Sequence, residues 1–176
     1  MKRLRRSVVL AASLLFSASS TGSAPQSAGA EAPPSPPEAL ILERLQGLWE
    51  GEGTWLGAKG RSKLTITPVL EGRFTRLEYR VERASAEPAL RFAGDAYYAV
   101  ASGRLSGTWF DSQGNVYPLQ ARAQEGALVV EWGAAGEPRG RTTYRRVDAV
   151  QLDVIDEIKG KDGDFRESAR IRYQRR

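Results

Sequence analysis

The 176-residue sequence contains no histidine and no cysteine, and its one methionine is Met1. These absences remove several kinds of chemistry. Ser-His-Asp and Cys-His catalysis both need an imidazole as base. Zinc sites are built largely from Cys and His. Haem held through His, Cys or Met is ruled out, which leaves only the less usual tyrosine as axial ligand. Without cysteine there is neither a disulfide framework nor lipid attachment at a thiol. No cofactor and no metal is expected. Long apolar runs are also missing, since the stretch from Val8 to Phe16 is too short to span a bilayer.

Acidic residues are absent from the first thirty positions, where Lys2, Arg3, Arg5 and Arg6 stand. That asymmetry inflates the formal charge of +5. Removing these four from the 26 basic residues leaves 22 against 21 acidic ones. A net charge near neutrality gives no electrostatic footprint for nucleic acid. The basic start, the apolar stretch behind it and the small residues at Ala28-Gly29-Ala30 are laid out as a secretory signal peptide over 1–30. Residues 31–38, with Pro33-Pro34 and Pro36-Pro37, form an extended linker that cannot bury enough apolar surface to fold. The folded domain is expected over 39–176. It is expected to be periplasmic or secreted, with no membrane insertion once the leader is cut.

Leu40, Ile41, Leu42, Leu45 and Leu48 recur at helical spacing, with Gly47 as a stop. Beyond Gly47 every element reads as a short strand. The candidates are 49–55, 63–69, 73–81, 92–100, 104–110, 116–122, 127–132, 141–147, 150–158 and 165–175. Even spacing predicts an all-β fold, an antiparallel up-and-down β-barrel of about ten strands, with the short N-terminal helix at its closed end. A two-sheet sandwich is the alternative. Connections after odd strands read as longer than those after even strands, so the odd end is expected to carry the mouth.

Gly47-Leu48-Trp49-Glu50-Gly51-Glu52-Gly53-Thr54-Trp55 alternates small or aromatic with charged residues at period 2, a half-buried strand with glycines where another chain approaches. A four-residue loop at 160–163 registers the last hairpin. It sets Asp153 opposite Arg170 and Glu157 opposite Arg166 on one face, and Leu152 opposite Ile171, Val150 opposite Tyr173 and Val154 opposite Ala169 on the other. It also sets Asp156 opposite Glu167. Facing carboxylates repel unless one is protonated or a cation intervenes. They are either a general acid/base pair, an anchor for a cationic ligand group, or a solvated rim pair bridged by an arginine such as Arg145; the last is favoured. Lys161-Asp162-Gly163-Asp164 lacks the spacing of a calcium loop and reads as a turn.

Three motifs together resemble the calycin superfamily of lipocalin-like barrels, in particular bacterial lipocalin-like domains of unknown function and, more distantly, nitrobindin-like barrels. They are Gly47-x-Trp49-x-Gly51-x-Gly53, Val69-Leu70-Glu71-Gly72-Arg73-Phe74 and Trp109-Phe110-Asp111-Ser112-x-Gly114. The resemblance implies that Trp49 packs at the closed base with an arginine of the last strand across its face, a role that the register carries to Arg175. The haem of nitrobindin-like barrels is not carried over, because the histidine that binds it is missing.

Trp55, Tyr79, Tyr98, Trp109 and Trp132 face inward by alternation. With Arg145 they are the candidate ligand-binding residues, and Asp156 and Glu167 the weak catalytic candidates. The expected function is binding of a small apolar or amphipathic molecule in a cavity open at the long-loop end. A small hydrolase or isomerase using carboxylates and tyrosines, and an interaction module with a filled barrel, are the alternatives. Nucleic acid is not an expected partner, and nothing in the sequence sets an oligomeric state.

Overall fold

The computed structural model describes residues 35–83, 90–134 and 137–176. The signal peptide expected over 1–30 and residues 31–34 of the expected linker lie outside the described residues. One helix, α1 (Pro37–Arg44), precedes ten strands: β1 (Gly47–Trp55), β2 (Ala58–Val69), β3 (Phe74–Arg83), β4 (Leu90–Ala101), β5 (Arg104–Asp111), β6 (Val116–Gln124), β7 (Ala127–Ala134), β8 (Glu137–Arg146), β9 (Gln151–Lys159) and β10 (Phe165–Arg175). Each strand pairs antiparallel with its neighbours in the chain, and β1 pairs with β10 to close the barrel. Closure leaves no sheet edge among these strands unpaired. Among the described residues no helix is long and apolar enough to cross a membrane.

The seam between β1 and β10 explains the glycines of the opening motif. A Cβ on Gly53 would lie 2.0 Å from the carbonyl oxygen of Arg170, and one on Gly51 would lie 2.5 Å from that of Arg172. The two backbones meet too closely there for any side chain. Trp49 and Trp55, at the ends of the same inward row, are buried.

The end of the barrel bearing the even-numbered turns is closed. Pro37 occupies the first turn of α1, where its missing N–H costs nothing. Ala39, Leu42 and Leu45 are buried, the helix packing against β5, β6 and β7. Glu38 accepts a hydrogen bond from the Leu105 N–H at 3.3 Å, and Arg146 donates to the Arg44 carbonyl at 3.1 Å. Beneath the helix, Trp49 donates its indole N–H to the Leu45 carbonyl at 2.8 Å. The Arg175 guanidinium lies over the Trp49 ring, 4.8 Å from its centre, and also donates to the Gln46 carbonyl. Ion pairs such as Arg172–Asp153 and Arg141–Glu157 cover outward faces.

Two expectations need correction. The connection after β1 is a two-residue turn, Leu56-Gly57, both with positive φ, rather than a long loop over 56–62. Ala58 to Ser62 belong to β2, where Ala58 already faces Trp55 and Ser62 faces Gly51, so polar residues continue the strand where a loop was expected. Odd and even turns therefore differ less in length than the sequence suggests. The register of the last hairpin also differs. Its loop spans five residues, with the Gly160 N–H donating to the Asp164 carbonyl at 2.7 Å, and a bulge at Ser168 adds another residue. Two one-residue shifts restore the inward face but move every later partner by two. Asp153 faces Arg172, Leu152 faces Tyr173, Val154 faces Ile171, and Glu157 faces Glu167. The loop holds itself together through Asp162, which accepts from the Asp164 N–H and pairs with Arg166.

Candidate functional site

A cavity of about 300 Å³ occupies the half of the barrel away from α1. Its depth is set by Leu64, Leu119, Val130 and Val154, above the packed layer of Trp49, Ile66, Leu77 and Leu152. Its mouth lies at the odd-turn end, where Leu56, Asp111, Gln113 and Asn115 contribute. The walls are aromatic. Phe92 is the hub of one group, with ring centres 6.1 Å from Trp55, 6.2 Å from Tyr79 and 6.3 Å from Trp109. Across the cavity Tyr117 and Trp132 lie 5.7 Å apart.

Glycines on neighbouring strands set the indoles in place. A Cβ on Gly94 would come within 2.0 Å of the Trp109 ring, and one on Gly140 within 2.1 Å of the Trp132 ring. Each indole lies against bare backbone, so these walls exist before any ligand arrives.

Asp156 projects into this apolar space from β9. Its single side-chain hydrogen bond among the described residues comes from the Thr142 hydroxyl, 2.7 Å away. Burial raises its pKa from 3.8 to about 6, against the lowering effect of that hydrogen bond. Tyr79, Tyr98, Tyr144 and Tyr173 have raised pKa values, first through burial, with the nearby Asp156 charge adding to each. All four hydroxyls therefore stay protonated and can donate. Tyr173 is engaged with the Ser62 hydroxyl at 2.6 Å, and Ser62 also donates to the Arg80 carbonyl at 2.9 Å. The buried Tyr79 hydroxyl has only a weak approach to Ser62, whose own proton goes to the Arg80 carbonyl, and no hydrogen bond of ordinary geometry among the described residues. An unsatisfied hydroxyl costs about 1–3 kcal/mol. Tyr79→Phe should consequently leave the ligand-free protein as stable or up to about 1 kcal/mol more stable in chemical denaturation. A clear loss of stability would show that the hydroxyl is satisfied.

Asp111 is the second carboxyl of the site and behaves differently. Partial burial would raise its pKa, but hydrogen bonds from Asn115, Gln113 and Trp109 outweigh that and hold it below the ordinary value. The Gln113 and Asn115 N–H groups donate to it at 2.9 and 3.0 Å, and the Trp109 indole at 3.3 Å. It fixes the turn at the mouth and remains ionised.

Trp55, Tyr79, Tyr98, Trp109 and Trp132 all line this one cavity. Two other candidates do not. Arg145 points outward, donating to the Glu125 carbonyl at 3.1 Å, because β8 presents Thr142 and Tyr144 inward and Arg145 is one residue out of phase. Glu167 is also outside. The bulge at Ser168 turns it to the outer face, where it pairs with Arg170, and Ala169 faces Asp156 instead. Asp156 and Glu167 therefore do not face each other. Sequence reasoning missed Phe92, Tyr117, Thr142, Tyr144 and Asp111 as lining residues. The T-Y pair at inward spacing in β8 would have pointed to two of them.

The fold is a closed ten-stranded up-and-down barrel of lipocalin-like shape, plugged by a helix at one end and hollow at the other. No family model and no curated protein matches the sequence. Among solved structures the chain is similar to Rv2717c from M. tuberculosis, with 12% identity over 81% of this chain and 99% of that one, at a TM-score of 0.54. It is also similar to the S-type phycobiliprotein lyase CPES from Guillardia theta, with 14% identity over 78% and 91% of the two chains, at a TM-score of 0.49. Likeness at these identities concerns the fold alone.

Proposed function

We propose that this protein is an exported carrier or receptor for one small apolar or amphipathic molecule, held in the barrel cavity. The observation that carries this reading is the preformed aromatic cavity of about 300 Å³, open at one end. That volume falls at the lower end of the range for small-molecule sites, and the mix of apolar walls with a few convergent polar groups is typical of them. The basic and apolar pattern of residues 1–30 supports export, and the Pro-rich segment suits a flexible lead to the barrel. The three sequence motifs support kinship with bacterial lipocalin-like domains.

Two measurements test the binding reading. Native mass spectrometry of protein purified from its own host should reveal a co-purifying small molecule. The neutral dye Prodan, whose emission shifts to the blue in apolar surroundings, should bind with a stoichiometry of one. Absence of both a bound mass and a dye shift would sink the proposal. A second reading, proton transfer by Asp156, is favoured by one feature only: its carboxyl titrates near pH 6, where a general base works well.

A further inference from the structure

The cavity contains carboxylates and no counter-charge. Asp156 stands in its depth and Asp111 at its mouth, while no lysine or arginine lines it among the described residues. The segments 84–89 and 135–136, between described strands, contain neither residue type. Three arginines stand near the cavity without lining it. Arg141 pairs with Glu157 on the outer face, and the Arg139 guanidinium lies 5.7 Å from the centre of the Tyr117 ring. Arg83 follows Tyr79 and Val81 on the inward row of β3 at the mouth end; it is not part of the lining, and its buried Nε has no hydrogen-bond partner among the described residues.

A buried carboxylate normally has a cationic partner or several hydrogen-bond donors, because desolvating the charge costs several kcal/mol otherwise. Asp156 has one donor, Thr142. The acid stands in an apolar wall with no cationic partner among the described residues. The same cavity is lined by the rings of Trp55, Tyr79, Phe92 and Trp109, and aromatic rings attract cations over their faces and do not favour anions.

Resting on the reading of this cavity as a ligand site, we propose that its occupant is an organic cation. A flat apolar body fills the space between the rings, and a protonated amine sits against Asp156 where the protein supplies no counter-ion. The same arrangement rejects carboxylate ligands such as fatty acids, since two like charges would meet them without compensation. The raised pKa of Asp156 fits this role. A cation brought beside the carboxyl would offset the cost of its charge at neutral pH, and affinity for the amine would fall as Asp156 becomes protonated in the ligand-free protein below about pH 6. The other groups facing Asp156 are Thr142 on β8, Ala169 on β10 and the tyrosines Tyr79, Tyr98, Tyr144 and Tyr173, none of which changes charge in that range.

The test displaces Prodan from the full barrel with three probes of one shape: tryptamine, the neutral alcohol tryptophol and the anion indole-3-acetate. Tryptamine is expected to bind at least tenfold more tightly than tryptophol at pH 7.5, and indole-3-acetate most weakly. Asp156→Asn should bring tryptamine down to the level of tryptophol. It should also abolish the fall in tryptamine affinity that the wild type shows between pH 7 and 5. Displacement of Prodan with equal affinity by amine and alcohol would overturn the cation proposal while leaving the ligand site standing. An unchanged amine preference in Asp156→Asn would do the same. Failure of Prodan and all three probes to bind would remove both readings together.

Discussion

Trp49→Ala should lower the thermal midpoint of the barrel by about 10–20 °C. Trp49 is fully buried at the closed end and touches parts of the chain that are far apart in sequence. Its indole N–H is bonded to the Leu45 carbonyl at the end of the helix, and its ring carries the Arg175 guanidinium. Replacing a buried tryptophan by alanine costs about 3–5 kcal/mol through lost transfer energy and the cavity left behind. The stacked arginine adds about 0.5–2 kcal/mol that the variant also forfeits. For a domain of this size each kcal/mol moves the midpoint by about 3–5 °C. Trp49→Phe keeps most of the packing but loses the donor to Leu45, and should recover roughly half of the loss. Differential scanning calorimetry of the three proteins checks both steps. A drop of less than about 5 °C for Trp49→Ala would mean that the base of the barrel is not held by this residue.

Asp156→Asn should stabilise the ligand-free protein, increasingly so as pH rises above about 4. The sign follows from the direction of the shift. Folding raises the Asp156 pKa from 3.8 to about 6, so the folded state prefers the protonated form. Its contribution to stability is fully present below pH 3.8 and is lost as pH climbs through 6. The rise corresponds to a penalty of up to about 3 kcal/mol at pH 8, less wherever water in the open cavity solvates the carboxylate. Asparagine has the same shape, still accepts the hydrogen bond from Thr142, and carries no charge to desolvate. The difference in unfolding free energy between variant and wild type should therefore be near zero at pH 4 and grow to about 2–3 kcal/mol at pH 8. Urea titrations at the two pH values measure it directly. Glu50, Asp111 and Glu157, whose pKa values are lowered on folding, act in the opposite sense, but they are common to both proteins and cancel in the difference. A site that weakens its own scaffold at neutral pH is what stability–function trade-off looks like in a binding pocket.

The architecture was legible because a barrel is written in period 2, which survives small errors. Inward rows such as Leu152, Val154 and Ile171, Tyr173 follow from alternation alone, whatever the exact pairing. Pairing itself depends on turns and bulges, and these are local decisions with faint signals. The Ser168 bulge leaves the inward row of β10 intact after Ala169 and yet turns Glu167 outward, so alternation finds the face while missing the partner. The strand over Ala58 to Ser62 was hidden for another reason. Of its five residues only Gly60 and Ser62 are buried, so no apolar alternation announces it. At the site, single aromatics stood out because they are large and rare, whereas Thr142 and Tyr144 lay beside arginines that drew attention to the solvent face. The lone acid was seen, but its lack of a partner depends on what surrounds it in three dimensions, and no linear pattern encodes that.

The seam of β1 and β10 also governs how such a chain reaches its native state. Glu50 and Arg176 are joined by an ion pair across 126 residues of sequence, and the strands between them are all hairpin neighbours. Nine pairings can form locally, each as soon as its two strands exist. The tenth cannot, because β1 must wait with both glycines bare until β10 arrives. Loop closure over that span is the slow entropic step. Until it occurs, an incomplete sheet presents two open edges, and the ring snaps shut as a unit or not at all.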